Sequence, residues 1–142
     1  MKRRDTLVRL KRFRVDDLKR RLTTLDGMKT DLERKLSDLD DSVNREKQRA
    51  NDSDIGRLAF PSFLRSIDSR RDNIRNSLKD LEREREQCQG DLSGAYQDLK
   101  SLELAIEQEN RRVAEAEARR SQTRLDEMAI VRHLRKHAIR QA

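Results

Sequence analysis

Chemistry on a protein needs nucleophiles, acids, bases or metal ligands at workable spacings, and this chain offers few. His133 and His137 stand four residues apart, so on a helix they share a face and have the spacing of a metal clamp. They lack a third ligand nearby and sit in a basic segment, so surface or partner-contact histidines is the better reading. Cys88 is the single cysteine, which rules out an intrachain disulfide and a cysteine-cluster zinc site and fits a reducing compartment. It falls on an apolar stripe and reads as a small buried hydrophobe. No glycine-rich phosphate loop is present, and serine and histidine are not arranged with an acid for nucleophilic attack. The carboxylates have the spacing of helix-surface partners for Arg and Lys. We therefore expect no catalytic site, no cofactor and no bound metal.

Composition narrows what could position any site. Of 142 residues, 33% are apolar and 43% are charged. A globular domain has roughly 45–50% apolar and about 25% charged residues, so a thick layered core is out of reach here. Disorder at this charge content comes with Pro, Gly and Ser enrichment and no periodicity. This chain has one Pro and four Gly, while Leu, Arg, Glu and Asp recur regularly. Extended helix, burying a thin stripe, is the expectation. No apolar run approaches the roughly 20 residues that cross a bilayer. No apolar segment of the signal-peptide kind follows Met1-Lys2-Arg3-Arg4. A cytoplasmic protein is expected.

Breakers gather in one place. Asn51-Asp52-Ser53-Asp54-Ile55-Gly56 and then Phe60-Pro61-Ser62 mark a connector over about 52–61. Pro61 lacks a backbone donor and restrains Phe60, and Ser62 is placed to cap the helix that follows. The first helix is expected over about 5–50 and the second over about 62–139. In the first, Leu18, Leu22, Leu25, Lys29, Leu32, Leu36, Leu39 and Val43 alternate by four and three, the spacing of a coiled-coil seam. Leu7, Leu10, Phe13 and Val15 extend an apolar face in looser register. In the second, one frame runs Leu64, Ile67, Arg71, Ile74, Leu78, Leu81, Arg85, Cys88, Leu92, Ala95, Leu99, Leu102, Ile106. It continues through Glu109, Val113, Ala116, Arg120, Thr123, Glu127, Ile130, Leu134 and His137, where polar residues become the majority. Arg71 and Arg85 interrupt the seam, either to set register or with their charged ends extended to water.

The expected architecture is all-α, one long antiparallel two-helix coiled coil over residues 1–142, the second helix longer than the first. Folding back near residue 56 makes facing residue numbers total about 113. Leu7 then meets Ile106, and Val43 meets the region of Arg70. The first helix would run out where the seam of the second weakens, leaving 109–142 as an overhang. A second helix of this length spans roughly 115 Å. Gly90 and Gly94 lie inside it, either as a flexible point or as tolerated surface glycines.

Charge concentrates at both ends of the chain. Residues 1–21 hold ten Lys/Arg and three Asp, a net +7. Residues 110–142 hold nine Lys/Arg and four acids, a net +5. In a hairpin both segments gather at the end away from the loop, and such an end seeks an acidic surface. Nucleic acid is the weaker reading. Phe13, Phe60, Phe63 and Tyr96 are too few for base stacking, and no parallel zipper follows the basic segment. A generic coiled coil that self-associates through 109–142 is the leading alternative.

The segment Lys2-Arg3-Arg4-Asp5-Thr6-Leu7, with Leu10-Lys11-Arg12-Phe13-Arg14-Val15-Asp16, resembles the start of the FliJ family, a coiled-coil component of the flagellar type III export apparatus. Phe60-Pro61-Ser62-Phe63 running into Arg70-Arg71-Asp72-Asn73-Ile74 is similar to the same family, as are the length, the short connector and the longer second helix. The resemblance implies a non-enzymatic stalk similar to that of rotary ATPases, whose terminal end enters the ring of the export ATPase. It implies further contact with the cytoplasmic domain of the export gate membrane protein and with export chaperones. The membrane would be met only through these partners, at the inner-membrane base of the flagellum. On this sequence the ring-facing residues would be Leu7, Leu10, Arg12, Phe13, Ile130 and Leu134. The gate-facing residues would be Phe63, Ile67, Arg70 and Ile74. Arg70 departs from the smaller residue that the family pattern leads one to expect there.

Overall fold

The structure, a computed structural model, describes residues 2–141. Two helices account for nearly all of them: α1 spans Lys2–Asp52 and α2 spans Asp54–Gln141. The helices pack against each other, α2 is the longer, and there is no strand among the described residues. Arg, Lys, Gln and Glu, which lose little side-chain freedom in a helix, take many of the exposed positions, and most leucines lie on the buried or half-buried face.

The connector is much shorter than the expected 52–61: Ser53 alone lies outside helix. Its hydroxyl oxygen accepts a hydrogen bond from the Gly56 N–H at 3.0 Å. Its carbonyl accepts one from the Arg57 N–H at 3.1 Å. Ser53 is therefore the N-cap of α2, a role the sequence pointed to at Ser62, which instead lies inside the helix. Pro61 is also inside α2, so the Arg57 carbonyl loses the donor that residue 61 ordinarily supplies. Gly56 makes the abrupt join feasible. A Cβ there would lie 2.8 Å from the Arg49 carbonyl oxygen and 3.2 Å from the Ala50 Cα. No described residue has a positive φ, so this glycine serves a close approach of backbones rather than a left-handed turn.

Contacts divide the chain into two units. One runs from Arg9 to Gln97, and the other joins α1 up to Val8 with α2 from Asp98 onward. In the first, Leu18, Leu25, Leu81 and Cys88 form the buried cluster, with Leu22, Leu32, Leu92 and Ala95 packed against it. Leu25 is 1% exposed and Ile67 2%, and burying side chains of this size contributes about 1.5–3 kcal/mol each. From Leu64 to Ala95 the heptad frame of α2 is the buried or half-buried face of that helix, as its spacing requires.

Ion pairs join the two helices of this unit. Asp26–Arg85, Lys29–Glu82 and Asp40–Arg71 each join residues whose numbers total 111. Arg21–Glu84 and the Cys88–Leu18 contact total 105 and 106, as a reversal at Ser53 requires. The backbones thus pair about seven residues from the expected total of about 113, and the three pairs at 111 are long side chains reaching diagonally. The interruptions Arg71 and Arg85 are half-buried, with their guanidinium groups turned to carboxylates on α1. The Arg85 Nε donates to Asp26 at 2.6 Å. That hydrogen bond, then the Asp26 charge, raises the Arg85 pKa above its ordinary value and keeps the group cationic. The Cys88 thiol donates to the Leu18 carbonyl at 3.5 Å, and Cys88 is buried as its frame position requires.

In the other unit, Val8 is half-buried, Leu99 is buried, and Leu102, Glu103, Ile106 and Glu109 are half-buried. Leu7, expected to meet Ile106, is exposed. The four-and-three spacing, continued back from Leu18, passes through Val15, Lys11 and Val8 instead. All three are at least half-buried, while Leu10 and Phe13 are exposed. Periodicity outweighs bulk here: the seam takes a lysine at its register position and leaves a phenylalanine to solvent.

Candidate partner-binding surfaces

Every described residue from Arg111 onward is exposed. This stretch of α2 carries Val113, Leu125, Met128, Ile130, Val131, Leu134 and Ile139, all large, apolar and open to solvent. The seam frame supplies Val113, Ile130 and Leu134, and the residues off that frame were not singled out by periodicity. Their signal is weak, because Leu125, Met128 and Ile139 lie on the far side of the helix from Leu134. Charge accompanies them. Arg111, Arg112 and Arg119 pair with Glu107, Glu109 and Glu115 along the helix. Arg120, Arg124, Arg132, Arg135, Lys136 and Arg140 make no ion pair among the described residues. Such a surface offers apolar area and uncompensated positive charge together, the composition of a site that binds acidic, partly apolar partners.

The expected ring-facing residues are all exposed: Leu7, Leu10, Arg12 and Phe13 on α1, Ile130 and Leu134 on α2. Ile130 and Leu134 are one helical turn apart and share a face. The expected gate-facing residues divide. Phe63 and Ile74 are half-buried and Arg70 is exposed, but Ile67 is nearly inaccessible and packs in the seam. Arg70 and Ile74 line a groove of about 400 Å³ with Asn73 from α2 and with Lys35, Asp38 and Leu39 from α1. The α1 side of that groove was not legible beforehand, because the register that brings Leu39 beside Ile74 is a tertiary property. A further exposed pair, Ile55 and Leu58, lies just beyond the turn.

His133 and His137 stand together, ring centroids 5.3 Å apart and planes tilted by 32°. No group of three or more metal-ligating side chains occurs among the described residues. No described helix is long and apolar enough to cross a membrane.

The profile of one protein family, described as flagellar FliJ protein, matches residues 1–138. No curated protein and no solved structure gives a match. The matched span takes in the seam, the capped turn at Ser53 and nearly all of the uncovered part of α2. With that coverage, and with two packed helices of which the second is the longer, the chain belongs to the flagellar FliJ protein family and is a flagellar export-related protein.

Proposed function

We infer that this chain is a stalk-like, non-enzymatic accessory of the flagellar type III export machinery. It inserts basic terminal segments into the ring of the export ATPase and links that ring to the export gate and to export chaperones. The observation that carries this reading is the uncovered stretch of α2 from Arg111, with exposed apolar side chains beside Arg120, Arg124, Arg132, Arg135 and Arg140, which make no ion pair among the described residues. A helix that is polar and apolar all round, with no partner of its own, is best explained by a host that surrounds it. The ring-contact residues are Leu7, Leu10, Arg12, Phe13, Ile130 and Leu134. The gate contact is the groove bearing Arg70 and Ile74, with Phe63 nearby in sequence; Ile67 serves packing. The protein works in the cytoplasm at the inner-membrane base of the flagellum, held there by these partners.

The test is to mix the purified chain with its export ATPase and follow hexamer formation and ATP turnover. An increase in both, weakened by added salt because charge drives the encounter, is the expected result. No change in either rejects the reading. The same uncovered stretch admits a second reading, self-association through 109–142. Light scattering separates the two, since an obligate dimer at micromolar concentration fits self-association and a monomer fits the stalk.

A further inference from the structure

We propose that the helical segment over residues 130–140 lies flat on an anionic lipid surface. The segment carries two rows of side chains, each spaced by four. Ile130, Leu134 and Ala138 form one, with Val131 at its edge, and Arg132, Lys136 and Arg140 form the other. Neighbours in the two rows stand two residues apart, about 200° around a helix, so the rows point in opposite directions. Every one of these residues is exposed, Ile130 by 59% and Leu134 by 60%. Ile139 is the one large apolar side chain of the segment that stands on the basic side.

Charge selects the occupant. Residues 128–141 hold Arg132, Arg135, Lys136 and Arg140 and no Asp or Glu. None of the four cations makes an ion pair among the described residues. A second copy laid against this stretch would bring the same cations into repulsion. A nucleic acid would use the cations and leave the aliphatic row in water. A membrane surface with anionic headgroups uses both. The aliphatic row enters the boundary between headgroups and acyl chains, to a depth of about 5–10 Å. Arg135, at the side of that row, then lies level with the phosphates. The opposite row stays within about one Debye length, roughly 8–10 Å, of the charged surface. The segment is about 16 Å long and rests along the surface; no described helix is long and apolar enough to cross a membrane. This contact goes beyond the ring-insertion reading. Both use Ile130 and Leu134, so one molecule occupies a ring or a lipid surface and not both at once.

The experiment is flotation of the full-length chain with phosphatidylcholine vesicles, either pure or with about 30% phosphatidylglycerol. The variants are Leu134→Gln, the triple change Arg132→Gln, Arg135→Gln and Lys136→Gln, and a control triple at exposed cations of the other unit, Arg34→Gln, Lys47→Gln and Lys79→Gln. The native chain and the control triple should float with the anionic vesicles and not with the neutral ones. Binding should weaken about fivefold for each cation removed from the segment, hence about a hundredfold in the first triple. Leu134→Gln should weaken it roughly tenfold. Far-ultraviolet circular dichroism checks that each variant keeps its helix. Absence of flotation by the native chain overturns the proposal, as does equal binding to neutral vesicles or an equal loss in the control triple. Unchanged binding by Leu134→Gln also overturns it, because attraction to phosphate alone would then account for the result. The ATPase assay is read without lipid, so failure here leaves the ring reading to its own test.

Discussion

Replacing glycine by alanine inside a helix ordinarily stabilises it, by about 1 kcal/mol, because alanine has less backbone freedom to lose. Gly27, Gly90 and Gly94 meet that condition: a Cβ at any of them has nothing within 4 Å. At Gly56 the same change must reverse sign. The new methyl group would sit 2.8 Å from the Arg49 carbonyl oxygen and 3.2 Å from both the Arg49 carbonyl carbon and the Ala50 Cα. All three are backbone atoms, so no side chain can rotate away, and the last turn of α1 must separate from the first turn of α2. Overpacking of this kind costs about 1–3 kcal/mol, and backbone-only relief favours the upper part of that range. Set against the intrinsic gain of about 1 kcal/mol, Gly56→Ala should destabilise the chain by about 1–2 kcal/mol. Gly90→Ala and Gly94→Ala should each stabilise it by about 0.5–1 kcal/mol. Urea titrations followed by helical circular dichroism measure all three variants under one condition. A Gly56→Ala chain as stable as Gly90→Ala would show that the helices do not approach closely at the turn.

Other consequences follow from the same structure. Leu25→Ala empties a site that is 1% exposed and should cost about 2–5 kcal/mol, whereas Leu134→Ala on the uncovered stretch should stay within about 0.5 kcal/mol by the same titration. Ser53→Ala removes the cap hydroxyl that accepts from Gly56 and should cost about 1 kcal/mol, while Ser62→Ala should cost nothing measurable. A double-mutant cycle on Asp40 and Arg71 should give a coupling of about 0.2–1 kcal/mol that falls with added salt; Asp40 is largely exposed, which keeps the value small. Limited trypsin digestion should cut first at Arg120, Arg124 and Arg132, where α2 has no covering helix, and bound ATPase should suppress those cuts.

Much of the architecture follows from periodicity alone. The four-and-three alternation from Leu64 to Ile106 identifies the face of α2 that becomes buried, and its decay after Ile106 marks where burial ends, within a helical turn of Glu109. Both follow because a helix repeats every 3.6 residues wherever it lies, so the face available for burial is already determined in one dimension. The uncovered basic stretch is legible for the same reason: no apolar stripe, no packing.

The turn and the register were decided by the tertiary structure. The breaker cluster at 51–62 holds several candidate stops, and local propensity favours the proline. The chain turns at Ser53 because Gly56 lets two backbones approach there and Ala50 is buried beside it, a contact between helices that no local window contains. The turn then sets the register. A heptad seam is satisfied at several offsets, and the reversal at Ser53 selects the one in which Cys88 meets Leu18 and Arg21 meets Glu84, with Lys29, Arg71 and Arg85 reaching diagonally to carboxylates on the facing helix. That pairing in turn places Leu39 across the groove from Ile74. One helix determines its own faces, and which residues meet across two helices depends on where the chain reverses.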